Sequence, residues 1–278
     1  MSEVRRLLAE ASARLSGEDG RADAEILLAH ALGVSRAWLY AHADDVPDAD
    51  RIAAFRSLVD ARAVGEPVAY LTGWRAFWRF ELEVTPDVLI PRPETELLVE
   101  AALERAPRDR PLRIADLGTG SGAIALALAM ERPQATVFAT DASAAALAVA
   151  RRNVRRFALD NVHVAEGDWC AALGTEAVDL VVSNPPYIAD GDVHLARGDL
   201  RREPRGALAS GSDGLDAIRA IVASVPKHLV DGGWLLLEHG WEQAPHVREL
   251  LERGGFRQVG GSRDLAGHER ISFGRLES

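Results

Sequence analysis

Four residues, Asn184-Pro185-Pro186-Tyr187, combine polar and rigid groups at a place where chemistry is expected. They follow Leu180, Val181 and Val182, an apolar run typical of a strand buried on both faces of a parallel sheet. Proline has no N–H for a strand ladder and holds φ fixed, so the strand must stop there. Asn184 is therefore biased to an extended conformation at the strand's carboxyl end. That end is where open α/β sheets bind ligands. With Pro185 and Pro186 stiffening the backbone, the Asn184 side-chain oxygen and the Pro185 carbonyl can point into one cleft as two acceptors. A planar NH2 group fits between them, with Tyr187 as a flat wall beside it. A Pro-Pro pair taken alone more often does no more than end a strand.

Upstream, three further strand ends offer groups suited to a nucleoside. The strand Arg113–Leu117 runs into Asp116-Leu117-Gly118-Thr119-Gly120-Ser121-Gly122, which turns the chain into a helix. Glycines are needed there because a side chain would keep the backbone away from a bound nucleoside. Dinucleotide-binding folds use a similar turn, so the glycines alone do not decide the ligand. A second strand, Thr136–Asp141, ends in an acid roughly 20 residues further on. Asp141 can accept from both ribose hydroxyls, or it can simply cap the helix beginning near Ser143. A third strand, 162–165, leads to Gly167-Asp168-Trp169. There Asp168 can accept from an adenine amino group with Trp169 at the ring edge, although a Trp is more often core. With three such ends in series, Asn-Pro-Pro-Tyr reads as the site motif of a methyltransferase acting on an NH2 group conjugated to a carbonyl or an aromatic ring.

The elements that must position these residues alternate strand and helix from residue 112 onward, as a doubly wound parallel sheet requires. A helix at 216–225, a strand at 234–237, a helix at 242–253 and a final hairpin (258–262 and 270–273) complete a mostly parallel, seven-stranded α/β sheet. Residues 188–213 form a long polar loop, uncommon in compact domains unless it acts as a lid or binding segment. Its 203–208 stretch is expected over the cleft. The block Pro91-Arg92-Pro93-Glu94-Thr95-Glu96 has a proline and acidic residues suited to a helix start, so capping alone can explain it. The helix is expected over 93–106.

The amino-terminal third has a different pattern. Apolar residues at helical spacing predict helices at 2–16, stopped by Gly17, at 22–32, after Ser35 as a cap, and at 48–63. A bundle of this size is marginal alone. Without a catalytic constellation of its own, it is read as a substrate-docking module or as a purely structural one. The expected organisation is a helical domain at 1–65, a linker and β-hairpin at 66–90, and the α/β domain at 91–278.

Composition narrows the classes further. Of 278 residues 47% are apolar, enough for a sizeable core. No run of about 18 apolar residues and no signal-peptide core occurs, so a soluble, cytoplasmic protein is expected. Cys170 is the single cysteine and the eight histidines lack ligand spacing, which gives no expectation of a disulfide or a metal. The net charge of −10 argues against extended contact with a phosphate backbone. Arg151, Arg152, Arg155 and Arg156 read as a solvated helix face.

Taken together, residues 116–122, Asn184 to Tyr187, the block Pro91 to Glu96 and the turn Glu238-His239-Gly240-Trp241 resemble the peptide chain release factor glutamine methyltransferases, the HemK/PrmC family. The likeness spans essentially the whole chain. It implies a class I methyltransferase fold with a helical N-terminal domain. S-adenosylmethionine would lie on Gly118, Thr119, Gly120, Ser121, Gly122, Asp141, Asp168, Trp169 and Asn184, and would leave as S-adenosylhomocysteine. Asn184, Pro185, Pro186 and Tyr187 would hold the glutamine of a release factor's Gly-Gly-Gln motif, with Asn184, Pro185 and Tyr187 serving catalysis. Arg92 would lie near the cleft. A monomer without nucleic-acid specificity or membrane association is expected. Three alternatives stay open: a ribosomal-protein glutamine methyltransferase, a nucleic-acid adenine amino-methyltransferase using an extruded base, and a non-catalytic docking partner that keeps the fold.

Overall fold

The computed structural model describes residues 3–15 and 19–277. They fall into two compact units, Met1–Trp74 and Arg75–Ser278. In the first unit, α1 (Val4–Arg14) buries Val4, Leu7 and Ala11, three- and four-residue steps that place them on one face. Gly17, expected to stop this helix, lies outside the described residues. The next helix, α2 (Gly20–Leu32), ends at Gly33 with φ +69°, the left-handed C-cap that glycine adopts without a Cβ penalty. Ser35 caps α3 (Arg36–Ala41), its hydroxyl accepting from the Trp38 N–H at 3.2 Å. Phe55 and Val59 are the buried residues of α4 (Ala49–Ala63). The buried carboxylate of Glu25 ties α2 to α3 by accepting from the Tyr40 hydroxyl at 2.5 Å and from Arg36 at 2.6 Å. A short α5 (Val68–Thr72) follows, in a stretch expected to link the domains. Its Val68 and Leu71 pack against the helical core, so this unit runs on past residue 65.

The second unit opens with a hairpin of β1 (Trp74–Phe77) and β2 (Phe80–Glu83). Pro93–Thr95 forms a 3₁₀ turn before α6 (Glu96–Arg105). Then come β3 (Arg113–Leu117), α7 (Ala123–Glu131), β4 (Thr136–Asp141), α8 (Ala144–Arg156), β5 (Val162–Glu166) and β6 (Val178–Ser183). The chain continues through α9 (Asp216–Ser224), β7 (Leu229–Glu238), α10 (Ala244–Arg253), β8 (Phe256–Arg263) and β9 (Glu269–Leu276). The sheet order is β5-β4-β3-β6-β7-β9-β8. Strands β5 to β7 in that order pair in parallel, and β9 runs antiparallel to β7 and β8.

Burial follows from this layering. Ile114, Ala115 and Leu117 of β3 are completely buried, and Ala123 to Ala129 of α7, all Ala, Ile or Leu, are buried as well. By contrast, α8 turns only Ala146, Leu147, Val149, Ala150 and Asn153 inward. Arg151, Arg155 and Arg156 lie exposed on its outer face. Order reverses between β3 and β6, so their carboxyl ends flank the crevice where such sheets bind ligands. The pairs Leu117 with Thr140, Thr140 with Ala165, and Ser183 with Leu237 bring the ends of β3 to β7 level along one edge.

Candidate active site

A cavity of about 440 Å³ opens at this edge, within the size range of small-molecule sites. It is lined by Gly118, Gly120, Asp141, Asp168, Trp169 and the Asn184-Pro185-Pro186 elbow. The loop after β6 supplies Pro204, Gly206 and Ala207, so the 203–208 stretch does sit over the cleft. Asp87, Val88 and Leu89, just after β2, form a wall that nothing in their residue types announces.

The Gly-rich turn divides into an inner and an outer part. Gly118 and Gly120 face the cavity with φ of +74° and +55°, and a Cβ on Gly120 would meet no protein atom within 4 Å. Open space at a left-handed glycine is the cradle a nucleoside needs. Thr119, Ser121 and Gly122 do not line the cavity. The Thr119 hydroxyl donates to Asp116 at 2.6 Å, and the Ser121 carbonyl accepts from Asn153 at 2.9 Å. At Gly122, φ is +89° and a Cβ would press on Leu126 at 2.6 Å, a packing requirement.

Behind the turn, Asp116 is completely buried. Burial pushes its carboxyl up to about 7, against hydrogen bonds from Thr119 and the Ala125 N–H at 3.1 Å. Asn153, also completely buried, takes the Glu83 N–H at 2.8 Å and donates to the Glu83 and Ser121 carbonyls, each at 2.9 Å. It therefore joins the hairpin to the Gly-rich turn. Its only sequence signal is its place on the inward face of α8.

Asp141 does not cap α8, whose N-cap is Ser143 with its hydroxyl accepting from the Ala146 N–H at 3.2 Å. The Asp141 carboxylate accepts from the Gly120 N–H and the Ser143 N–H, both at 2.9 Å, and it also borders the cavity. Trp169, with φ +46°, sets its ring beside Gly118, 3.5 Å from where a Cβ would stand.

At the end of β6, the Ser183 hydroxyl donates to the Leu117 carbonyl at 2.6 Å, locking the two strand ends that flank the crevice. Asn184 donates its side-chain N–H to the Thr95 hydroxyl at 3.1 Å. Its amide nitrogen is thus held by the protein, and its oxygen remains as the acceptor end. Thr95 is 3% exposed and Glu238 only 2%. The Glu238 carboxyl lies close to Thr95, and its Oε1 accepts from the Tyr187 hydroxyl at 3.5 Å. Burial raises Glu238 to about 7, and its Oε2 has no hydrogen-bond partner among the described residues. Burial, joined by the Glu238 charge, raises the Tyr187 phenol well above its ordinary value. Tyr187 does not line the cavity. Its phenol goes to Glu238, and its carbonyl accepts from Gln243 at 3.0 Å.

Arg92 does not line the cavity either. Its guanidinium binds the Glu203 carboxylate, which also accepts from the Ile90 N–H at 3.2 Å. The block Pro91 to Glu96 therefore does more than start a helix: it carries Arg92 and Thr95, which reach Glu203 and Asn184.

A parallel sheet of this order, with a Gly-rich turn after its first strand and an acid after its second, defines a class I methyltransferase domain. Residues 93–211 match the Methyltransferase small domain family and residues 6–73 the PrmC N-terminal domain. A release factor glutamine methyltransferase of Xylella fastidiosa (strain Temecula1) is 54% identical over 97% of this chain and 96% of its own. That of Escherichia coli K12 is 44% identical over 98% and 99%. Among solved structures, a Thermus thermophilus 16S rRNA methyltransferase in complex with AdoMet and guanosine aligns with TM-score 0.55, at 23% identity, over 73% of this chain and 51% of that one. The chain belongs to the release factor glutamine methyltransferase family, a class of enzymes that use S-adenosylmethionine.

Proposed function

We propose that this enzyme methylates the side-chain amide nitrogen of the glutamine in the Gly-Gly-Gln motif of peptide chain release factors, a step in the maintenance of translation termination. One observation carries the reading at the level of chemistry. Asn184 is bound through its nitrogen to Thr95, so what it offers the cavity edge is an acceptor. Pro185, with no N–H, would add its carbonyl as the second acceptor. Two acceptors without an adjacent donor select a substrate that brings an NH2 group.

S-adenosylmethionine, when bound, supplies an electrophilic methyl group. Gly118 and Gly120 would let its nucleoside approach the backbone, Asp141 would accept from the ribose hydroxyls, and Asp168 and Trp169 would hold the base. Thr119, Ser121 and Gly122 would support the turn from behind rather than touch the cofactor.

The chemistry assigned to the chain's own residues follows from the weakness of the nucleophile. An amide nitrogen has its lone pair delocalised into the carbonyl. Asn184 Oδ1 and the Pro185 carbonyl would accept both N–H bonds, fix the nitrogen's face toward the donor, and favour the positive charge that builds on it. This is alignment plus electrostatic preorganisation, and it needs no dedicated base while the N–C bond forms; the surplus N–H proton of the cationic product would then pass to water. Pro186 would keep the elbow rigid, and Tyr187 would border the glutamine from the Glu238 side. Arg92 would act on the substrate through Glu203 and the loop over the cleft.

The helical unit is assigned to docking of the substrate protein, with the α/β unit as the catalytic domain. No described helix is long and apolar enough to cross a membrane. A cytoplasmic monomer without nucleic-acid specificity is the setting that fits this substrate. The reading is tested by incubating the enzyme with labelled methyl donor and purified release factors, then mapping the modified residue by mass spectrometry. Label on the glutamine of Gly-Gly-Gln is expected. Label only on a ribosomal protein or on nucleic acid would replace this reading.

A further inference from the structure

An asparagine amide is nearly symmetric in shape but opposite in chemistry at its two ends. Rotated by half a turn about its last bond, Asn184 would point N–H donors at the place where its acceptor is needed. The elbow's prolines do not prevent that rotation, because they constrain the backbone and not the side chain. Something must select the rotamer, and only one side chain is hydrogen-bonded to Asn184 among the described residues: Thr95, at 3.1 Å.

A free hydroxyl selects nothing, since it can donate or accept. Thr95 is not free in this sense. It sits in the 3₁₀ turn Pro93–Thr95, almost completely buried, with the Glu238 carboxyl close to it. A Thr95 proton turned to that carboxyl would leave only lone pairs facing Asn184, and those accept from the amide N–H2 and not from the oxygen. The sheet register explains how these groups meet. Ser183 pairs with Leu237, so Asn184, the first residue beyond β6, stands beside Glu238, the last residue of β7. Thr95 reaches both from another segment.

We propose that Thr95, backed by Glu238, is a positioning residue that sets the amide of Asn184 with its oxygen toward the cleft. The catalytic part of this inference rests on the proposed methylation of an amide nitrogen. The structural part does not, and the experiment separates the two.

The test uses full-length enzyme with Thr95→Val, which keeps shape and removes the hydroxyl, Thr95→Ser, which restores it, Glu238→Gln, and Asn184→Ala. Steady-state methylation of a release factor is expected to show Thr95→Val lowering kcat by about tenfold, the effect of losing one hydrogen bond, with cofactor KM unchanged and Thr95→Ser recovering most of the loss. In the Asn184→Ala background, Thr95→Val should cost nothing more, because the group it orients is gone. An equal loss in both backgrounds would reduce Thr95 to a purely structural role and overturn the proposal.

A second readout needs no substrate. The chain has three asparagines, Asn153, Asn161 and Asn184. Labelling asparagine with 15N thus gives three side-chain NH2 pairs, with that of Asn184 identified by its loss in Asn184→Ala. The Asn184 pair should shift in Thr95→Val, shift less in Glu238→Gln and return in Thr95→Ser, while the Asn153 and Asn161 pairs stay in place. An Asn184 pair unmoved by Thr95→Val overturns the inference even if the enzyme is fully active. If no release factor is methylated but the pair moves as described, the substrate assignment fails and the positioning role stands.

Discussion

The carboxylate of Glu203, with no exposed side-chain surface, is held between the guanidinium of Arg92 and the backbone N–H of Ile90. Residues 111 positions apart thereby fasten the long loop over the cleft to the block that opens α6. The pair is unequal, since Arg92 keeps 30% of its side-chain surface in water.

That inequality has a measurable consequence. Arg92→Ala would leave a buried carboxylate without its counter-charge, a defect worth about 3–5 kcal/mol when a fully buried pair is broken. The partial exposure of Arg92 places the expected loss at the low end. Glu203→Ala should cost less, because water can take over the guanidinium and the defect left is the buried Ile90 N–H without its acceptor, about 1–3 kcal/mol. Denaturant unfolding of the two variants checks the order. Equal losses would show that the pair contributes as a surface bridge only.

The strand-end residues separate turnover from cofactor affinity. Asn184→Ala is expected to lower turnover on a release factor by roughly 10²–10³-fold, the scale for losing one preorganised group. Asp141→Ala should mainly weaken cofactor binding, by about 1–3 kcal/mol, because the ribose hydroxyls and the Gly120 N–H all lose an acceptor. Isothermal titration of both variants with S-adenosylmethionine distinguishes these effects. Unchanged affinity in Asp141→Ala would remove Asp141 from the ribose site.

Asn153 offers a test away from the cavity. Replacing it with Ala strands the half-buried Glu83 N–H and removes the donor to the Ser121 carbonyl, at a cost of about 1–3 kcal/mol in stability. Because Ser121 belongs to the Gly-rich turn, cofactor affinity should fall as well, although Asn153 does not line the cavity. Thermal melting together with cofactor titration follows both effects. A stability loss with wild-type affinity would show the turn to be rigid without this tether.

Buried carboxyls set a pH dependence whose sign follows from direction alone. Burial raises Asp116 from 3.8 and Glu238 from 4.5, both to about 7. Facing Glu238 are Thr95, Tyr187, Arg270 and Glu94, and facing Asp116 are Thr119, the Ala125 N–H and Asp141. Between roughly pH 4 and pH 7 the folded chain keeps protons that the unfolded chain has released. Stability contributed by these groups is therefore fully present below pH 4, declines as pH rises to about 7, and is flat above that. Glu238→Gln should remove its share, roughly 3 kcal/mol across that interval, as read from denaturation curves at pH 4.5, 6 and 8. A slope unchanged in Glu238→Gln would mean that Glu238 is ionised in the fold at acidic pH.

Local patterns made most of the fold legible. The apolar runs of β3, β4 and β6, the glycines after β3 and the prolines after β6 are each short-range signals, and each lies where its pattern places it. Less legible were features whose cause is far away in the chain. The expected strand at 234–237 is only the end of Leu229–Glu238, in which the buried Leu229 is followed by exposed Val230 and Asp231 and then two glycines, with no apolar alternation. The short helix Val68–Thr72 is stabilised by packing on the bundle, which five residues cannot signal by periodicity.

The sequence by itself determined the chemistry on offer: an Asn-Pro-Pro-Tyr corner, a glycine cradle and an acid one strand further on, because types and spacings are written in the chain. Tertiary structure alone decided which end of Asn184 faces the cleft and what Arg92 grips. Those outcomes depend on Thr95, Glu238 and Glu203, residues that look like a helix cap, a strand end and a loop charge until folding brings them within hydrogen-bond reach. Direction and partnership of side chains are long-range properties, and no local pattern encodes them.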